Sequence, residues 1–159
     1  MPRGPLPPRN RRGAAALEAA LVLPVLLLLV VGIMEAASML RVWLAVQKAS
    51  QARARMPATG QGEETGDRIA RIEAAASRFL ADLPAGDDRI DVRSWPGTTL
   101  SGTAREGDAG EPCDTVEVEV TRTWSPATPF VSSLFPASLD LAGADRKVNE
   151  PWRPCESSP

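Results

Sequence analysis

Between Glu18 and Glu35 the chain runs AALVLPVLLLLVVGIM, sixteen residues without a charge. Residues 26–31 are apolar on every side of a helix, so the block is predicted to cross a membrane rather than to line a soluble core. As a helix it covers roughly 24 Å, short of a ~30 Å hydrocarbon layer. Residues 14–17 before it and 36–40 after it extend the span, provided that Glu18 and Glu35 lie near the interfaces or are partnered. Glu35 is expected at the outer interface, roughly 25 Å along the helix from Glu18. Within the span, from Ala19 onward, Pro24 removes the hydrogen bond to the carbonyl of Ala20, and Gly32 adds a second flexible point.

No Gly or Pro follows Gly32 until Pro57, so the helix is predicted to continue well past the apolar block. Ala45, Ala49, Ala52 and Met56 then form a narrow stripe of mostly small residues. It suits close packing against the molecule's own domain or a second helix, or it is simply an alanine-rich solvated face.

The remainder has soluble periodicities. Residues 58–66 read as a linker rich in Gly, Glu and Thr, after which Asp67 is placed to cap a second helix. In that helix Ile69, Ile72, Ala76, Phe79, Leu80 and Leu83 repeat at three and four, and Pro84 and Gly86 end it. Residues 89–95 alternate as a strand, 96–112 read as a long hairpin loop, and a third strand is expected within 138–148. The clearest strand is 115–124, with Val116, Val118 and Val120 inward and Glu117, Glu119 and Thr121 outward. The fold class is therefore α+β: a long N-terminal transmembrane helix, then a small domain at 67–159 with one helix on a short antiparallel sheet. Few large apolar residues remain for its core, so marginal stability is expected.

Composition narrows the chemistry. With no histidine, no tyrosine and two cysteines among 159 residues, histidine-centred catalysis and mixed Cys/His metal sites are excluded, and no metal or other cofactor is expected. The acids Glu111, Asp114, Glu117 and Glu119 are expected to form a solvated face, not the convergent pair a carboxylate hydrolase needs. The chain is read as a non-enzyme with no small-molecule substrate. Residues 1–13 hold four arginines and four prolines but no acid; the rest has 14 Lys and Arg against 20 Asp and Glu, net −6. Nucleic-acid binding by this acidic body is not indicated. Cys113 and Cys155 enclose 41 residues. A disulfide is expected over free thiols, worth ~3–4 kcal/mol in the chain-entropy model.

Three fates suit the N-terminus. A secretory signal would be cut after Ser38, with Ala36 and Ser38 as its small residues, although Glu18 and Glu35 inside it count against this. A retained signal anchor would present a binding domain outside the membrane. The arginine-rich side is expected to stay cytoplasmic, since Arg11 and Arg12 directly precede the apolar run and the cysteines suit an oxidising exterior.

The third fate comes with a resemblance. The string RRGAAALE, followed at once by a leucine-rich helix with Pro24, resembles the processing site of type IV prepilins. More narrowly, RRGAAALEAALVLPVLLLLVVGIMEAA resembles the start of TadE-like proteins, pseudopilins of tight-adherence (Flp-type) pilus systems. The run from Arg146 to Trp152 is also similar to how these proteins end. The position after Glu18 is Ala19, where related major pilins often carry an aromatic residue.

The resemblance implies a leader at 1–13, cleavage by a prepilin peptidase between Gly13 and Ala14, and a membrane and continuing helix at 14–57. It further implies a single-pass protein of the cytoplasmic membrane with an extracytoplasmic C-terminal domain. Its partners would be the membrane, the peptidase, other pilin-like proteins and the Tad assembly platform. Glu18 would be the fifth mature residue. It lies four positions from Ala14, so both share one helix face, and a new ammonium at Ala14, from its own chain or a neighbour's, would pair with it.

Overall fold

The computed structural model describes residues 11–60, 66–128 and 136–155. Most of the leader (1–10), most of the linker (61–65) and part of the proline-rich loop (129–135) lie outside the described residues. Helix α1 spans Arg11–Ala58 without interruption, and α2 spans Arg68–Leu80. Strands β1 (Asp88–Trp95), β2 (Arg105–Glu106), β3 (Thr115–Trp124) and β4 (Leu139–Val148) form one antiparallel sheet in the order β2-β1-β3-β4. The α+β class with a long apolar helix is as the sequence predicts.

Among the described residues, nothing covers the lower half of α1. From Gly13 to Val30 every side chain is exposed, so the apolar run is not a core helix, and its length and composition suit a membrane crossing. The upper half enters the core. Val42, Val46 and Ala49 pack with Ile72, Ala76 and Leu80 of α2 and with Val92, Val116, Val118, Val120 and Trp124 of the sheet. Both helices cover the same sheet face, α1 over β3 and β4, α2 beside β1. Burying each Val, Ile or Leu contributes ~1.5–3 kcal/mol, so a core this small depends on α1. Ala49 belongs to this packing, and the alanine stripe therefore serves in part the molecule's own domain.

Close approach of α1 to β4 follows from Gly143. A Cβ there would lie 3.1 Å from the Gln47 side chain and 3.2 Å from its Cα. Gln47 Nε2 also donates to the carbonyl of Ala142 at 3.3 Å. On the other side, Arg122 is buried beneath the end of α2. It donates to both Asp88 oxygens at 2.8 and 2.9 Å and to the carbonyls of Leu80 and Pro84, joining helix terminus to sheet. A guanidinium suits this position because its planar fork serves several acceptors at once.

Some sequence expectations shift. Asp67 precedes α2, but its side chain makes no capping bond. The buried face of α2 is Ile72, Ala75, Ala76 and Leu80, while Phe79 is left partly exposed, because the neighbouring α1 presents a groove there rather than a wall. The predicted loop at 96–112 contributes β2, paired to β1 through Arg93 and Ser94.

The segment after β4 is tied down as far as Cys155. Cys113 and Cys155 form a disulfide with Cα atoms 5.7 Å apart. Next to it, Asn149 donates from Nδ2 to the carbonyls of Ala109 and Glu111, both at 2.9 Å, and its backbone pairs with Cys113 and Asp114. Trp152 receives the Arg68 guanidinium over its ring at 4.8 Å and closes against Gly60, whose φ of +67° only glycine adopts freely.

Candidate functional site

The features that bear on function lie along α1. Gly13 and Ala14 are inside the helical segment, and a Cβ on Gly13 would meet nothing within 4 Å. Glu18 and Ala19 are exposed, four and five residues beyond Ala14 on a bare stretch of helix. Pro24 is accommodated within continuous α-helix, and Gly32 is half-buried where the domain begins. The helix therefore presents Glu18 as an exposed carboxylate beside the apolar span. A charge there requires a cation or headgroup layer, since leaving it in hydrocarbon costs on the order of 3 kcal/mol on insertion scales.

Glu35 is different. It is 5% exposed, closed over by the loop that follows β3. Its carboxylate accepts from the Thr128 N–H at 2.8 Å, the Thr128 hydroxyl at 2.5 Å and the Ala127 N–H at 3.3 Å. One turn further, Ser38 donates to the Glu35 carbonyl at 2.8 Å and accepts from Trp124 Nε1 at 3.1 Å. Glu35 and Ser38 thus form a collar at the level where the bare helix becomes a core helix. Sequence reading placed Glu35 at an interface but missed its partners. The available signal was the Ser-Pro-Ala-Thr run after β3, whose backbone N–H groups and hydroxyl need an acceptor.

The acidic face is not simply solvated. Arg93, Glu117 and Arg146 stand directly opposite one another across β1, β3 and β4, and both arginines pair with Glu117. Arg93 also reaches Glu119 at 2.9 Å and Glu106 at 3.2 Å. Glu117 is consequently only 3% exposed although it points away from the helices. Burial works against the Arg93 charge, but Glu106, Glu119 and Glu117 outweigh it and raise its pKa above the ordinary arginine value. Asp114 is also buried, accepting from the N–H groups of Gly97 and Glu111 and from Arg105. Glu111 and Glu119 retain more solvent contact.

An open cleft of about 420 Å³ runs along this face, with Asp91, Glu119 and Asp140 among its walls. Each is already engaged: Asp91 by Arg89 at 2.8 Å, Glu119 by Arg93, Asp140 by the Thr123 hydroxyl at 2.7 Å. Such pairing holds these side chains in place, each carboxylate already committed to a donor. Among the described residues no cluster of three or more Asp, Glu, Cys or His side chains is arranged to hold a metal ion.

The remaining lead is α1 itself. Comparison with curated proteins and with solved structures yields no match. A family model described as TadE-like protein matches residues 13–55, the bare span together with the part of α1 that enters the core, so it is over this segment that the chain is similar to that family.

Proposed function

We propose that the protein is a TadE-like minor pilin or pseudopilin, a structural component in assembly of an Flp-type pilus. In this reading residues 1–13 are a cytoplasmic leader removed by a prepilin peptidase, and Ala14 becomes the new N-terminus. Residues 14–57 anchor the chain through the cytoplasmic membrane and continue outward, 58–66 link, and 67–159 form the extracytoplasmic domain. The protein is a substrate of the peptidase and a partner of other pilin-like and assembly-platform proteins, not a catalyst. Glu18 then serves as a registration device, pairing with the ammonium of an Ala14.

The observation that carries this reading is the TadE-like match over 13–55 on a helix whose lower side chains are bare all round. Secretion by cleavage after Ser38 fits less well. Such a cut would discard both Glu35 and Ser38, which hold Thr128 and Trp124.

N-terminal sequencing or intact mass of the membrane-extracted protein separates the readings. A chain beginning at Ala14 is expected. One retaining Met1 would make it a plain signal-anchored binding domain, and one beginning at Met39 would make it a secreted protein.

A further inference from the structure

The two sides of α1 carry apolar surface of unequal length. On the side of Glu35 the surface runs from Leu17 to Met34, roughly 25 Å, before the carboxylate and the domain interrupt it. On the opposite side Leu26, Val30, Ile33, Ala37, Leu40 and Leu44 follow one another at spacings of four and three, and all are exposed. Continued below Leu26 through the exposed Val22 and Ala19 on the same side, this stripe is roughly 38 Å long from Ala19 to Leu44. A ~30 Å hydrocarbon layer is longer than the first and shorter than the second. Tilt toward the long side resolves the mismatch, because it lowers that side into the bilayer while lifting the other.

The long stripe ends in a groove of about 440 Å³ between α1 and α2, walled by Leu40, Leu44, Phe79 and Leu83. Leu40 is 52% exposed, Leu44 44% and Phe79 42%. Arg41 and Lys48 border it against one acid, Asp82, whose backbone carbonyl accepts from Arg41 at 3.3 Å. This is a local excess of positive charge on a chain that is net −6 from Ala14 onward. Trp43, also partly exposed, stands at the same height along α1, and tryptophan favours the membrane interface.

We infer that this groove is a second membrane contact: the domain leans onto the bilayer that α1 crosses, with Leu40, Leu44 and Phe79 in the headgroup layer of anionic phospholipid and Arg41 and Lys48 against its phosphates. The inference rests on the membrane reading of α1. It makes the domain a lipid-seated body rather than one held clear of the surface, and the seating is released when the groove's cations are lost.

The test uses the full chain, disulfide intact, in nanodiscs of phosphatidylcholine with or without phosphatidylglycerol. Cysteines introduced by Leu26→Cys, Leu44→Cys or Ala144→Cys carry an environment-sensitive fluorophore, and doxyl-labelled lipids of shallow or deep position quench it. Leu26→Cys should be quenched by deep doxyl lipid. Leu44→Cys should be quenched by shallow doxyl lipid at least threefold more than the sheet-borne Ala144→Cys, more strongly with phosphatidylglycerol. Adding Arg41→Glu and Lys48→Glu should at least halve that quenching, with circular dichroism unchanged.

Equal, weak quenching at Leu44→Cys and Ala144→Cys overturns the inference while leaving the membrane span intact. A Leu44→Cys label shielded from both lipid quencher and aqueous iodide, with cross-linking between chains, overturns it in favour of a protein partner. Absence of quenching at Leu26→Cys overturns the span itself.

Discussion

The Glu35 carboxylate and Thr128, 93 residues apart in the chain, are joined by two hydrogen bonds, from the threonine N–H at 2.8 Å and its hydroxyl at 2.5 Å. Through them the loop after β3 closes over α1 at the foot of the domain. Thr128→Val keeps the shape and removes only the hydroxyl donor. It is expected to cost ~1–2 kcal/mol, and Glu35→Ala more, since two backbone donors then lose their acceptor. Urea unfolding in detergent, followed by tryptophan fluorescence, checks the order; a Glu35→Ala midpoint equal to wild type would show that the collar contributes nothing.

A second expectation concerns the arginine-flanked Glu117. Glu117→Ala leaves Arg93 and Arg146 on either side of an empty position, whereas Glu106→Ala removes a carboxylate that is 69% exposed. We expect the first to destabilise by ~1–3 kcal/mol, discounted from the cost of a fully buried pair because both arginines keep solvent contact, and the second by less than ~1 kcal/mol. Matching denaturation midpoints for the two variants would return the acidic face to the solvated role its sequence suggests.

That contrast marks where sequence reading stops. The alternation of Val116, Val118 and Val120 reveals β3 because the period of two is written locally. The burial of Glu117 is invisible there, since it depends on the register that sets Arg93 and Arg146 opposite it. Glu35 has the same history: its position was legible as the end of an apolar run, but its partners come from a distant loop. Periodicity also suggested Phe79 for the core and overlooked Ala75, because spacing cannot tell which rim of an amphipathic face its neighbour leaves open. The cysteine pairing was readable, as only two cysteines exist.

The disulfide offers a third test. Its residues are separated by 42 positions, for which the chain-entropy model gives ~3–4 kcal/mol. Cys113→Ser with Cys155→Ser should lower stability by about that amount. It should also loosen the segment after Asn149, raising acrylamide quenching of Trp152 in a variant whose other tryptophans are phenylalanine. Unaltered quenching would mean that the Asn149 bonds and the Arg68 stacking suffice to hold the tail.

The proposed registration role of Glu18 predicts separation of insertion from assembly. Glu18→Ala should still reach the membrane in normal amount, because removing a charge eases insertion. Co-purification with partner pilins should fall several-fold, and Glu18→Asp should recover less than half of it, being one methylene shorter. Wild-type co-purification and pilus number in Glu18→Ala would refute the role.

Because α1 is one unbroken helix from Arg11 to Ala58, its lower end and the sheet packed on its upper end move as a single screw. Each residue step along such a screw couples ~1.5 Å of axial travel to a turn of ~100°. A neighbour that engages the lower helix one residue higher or lower would therefore find the sheet facing a different direction. The depth at which the helix is gripped decides which surface of the outer domain any adjacent molecule meets.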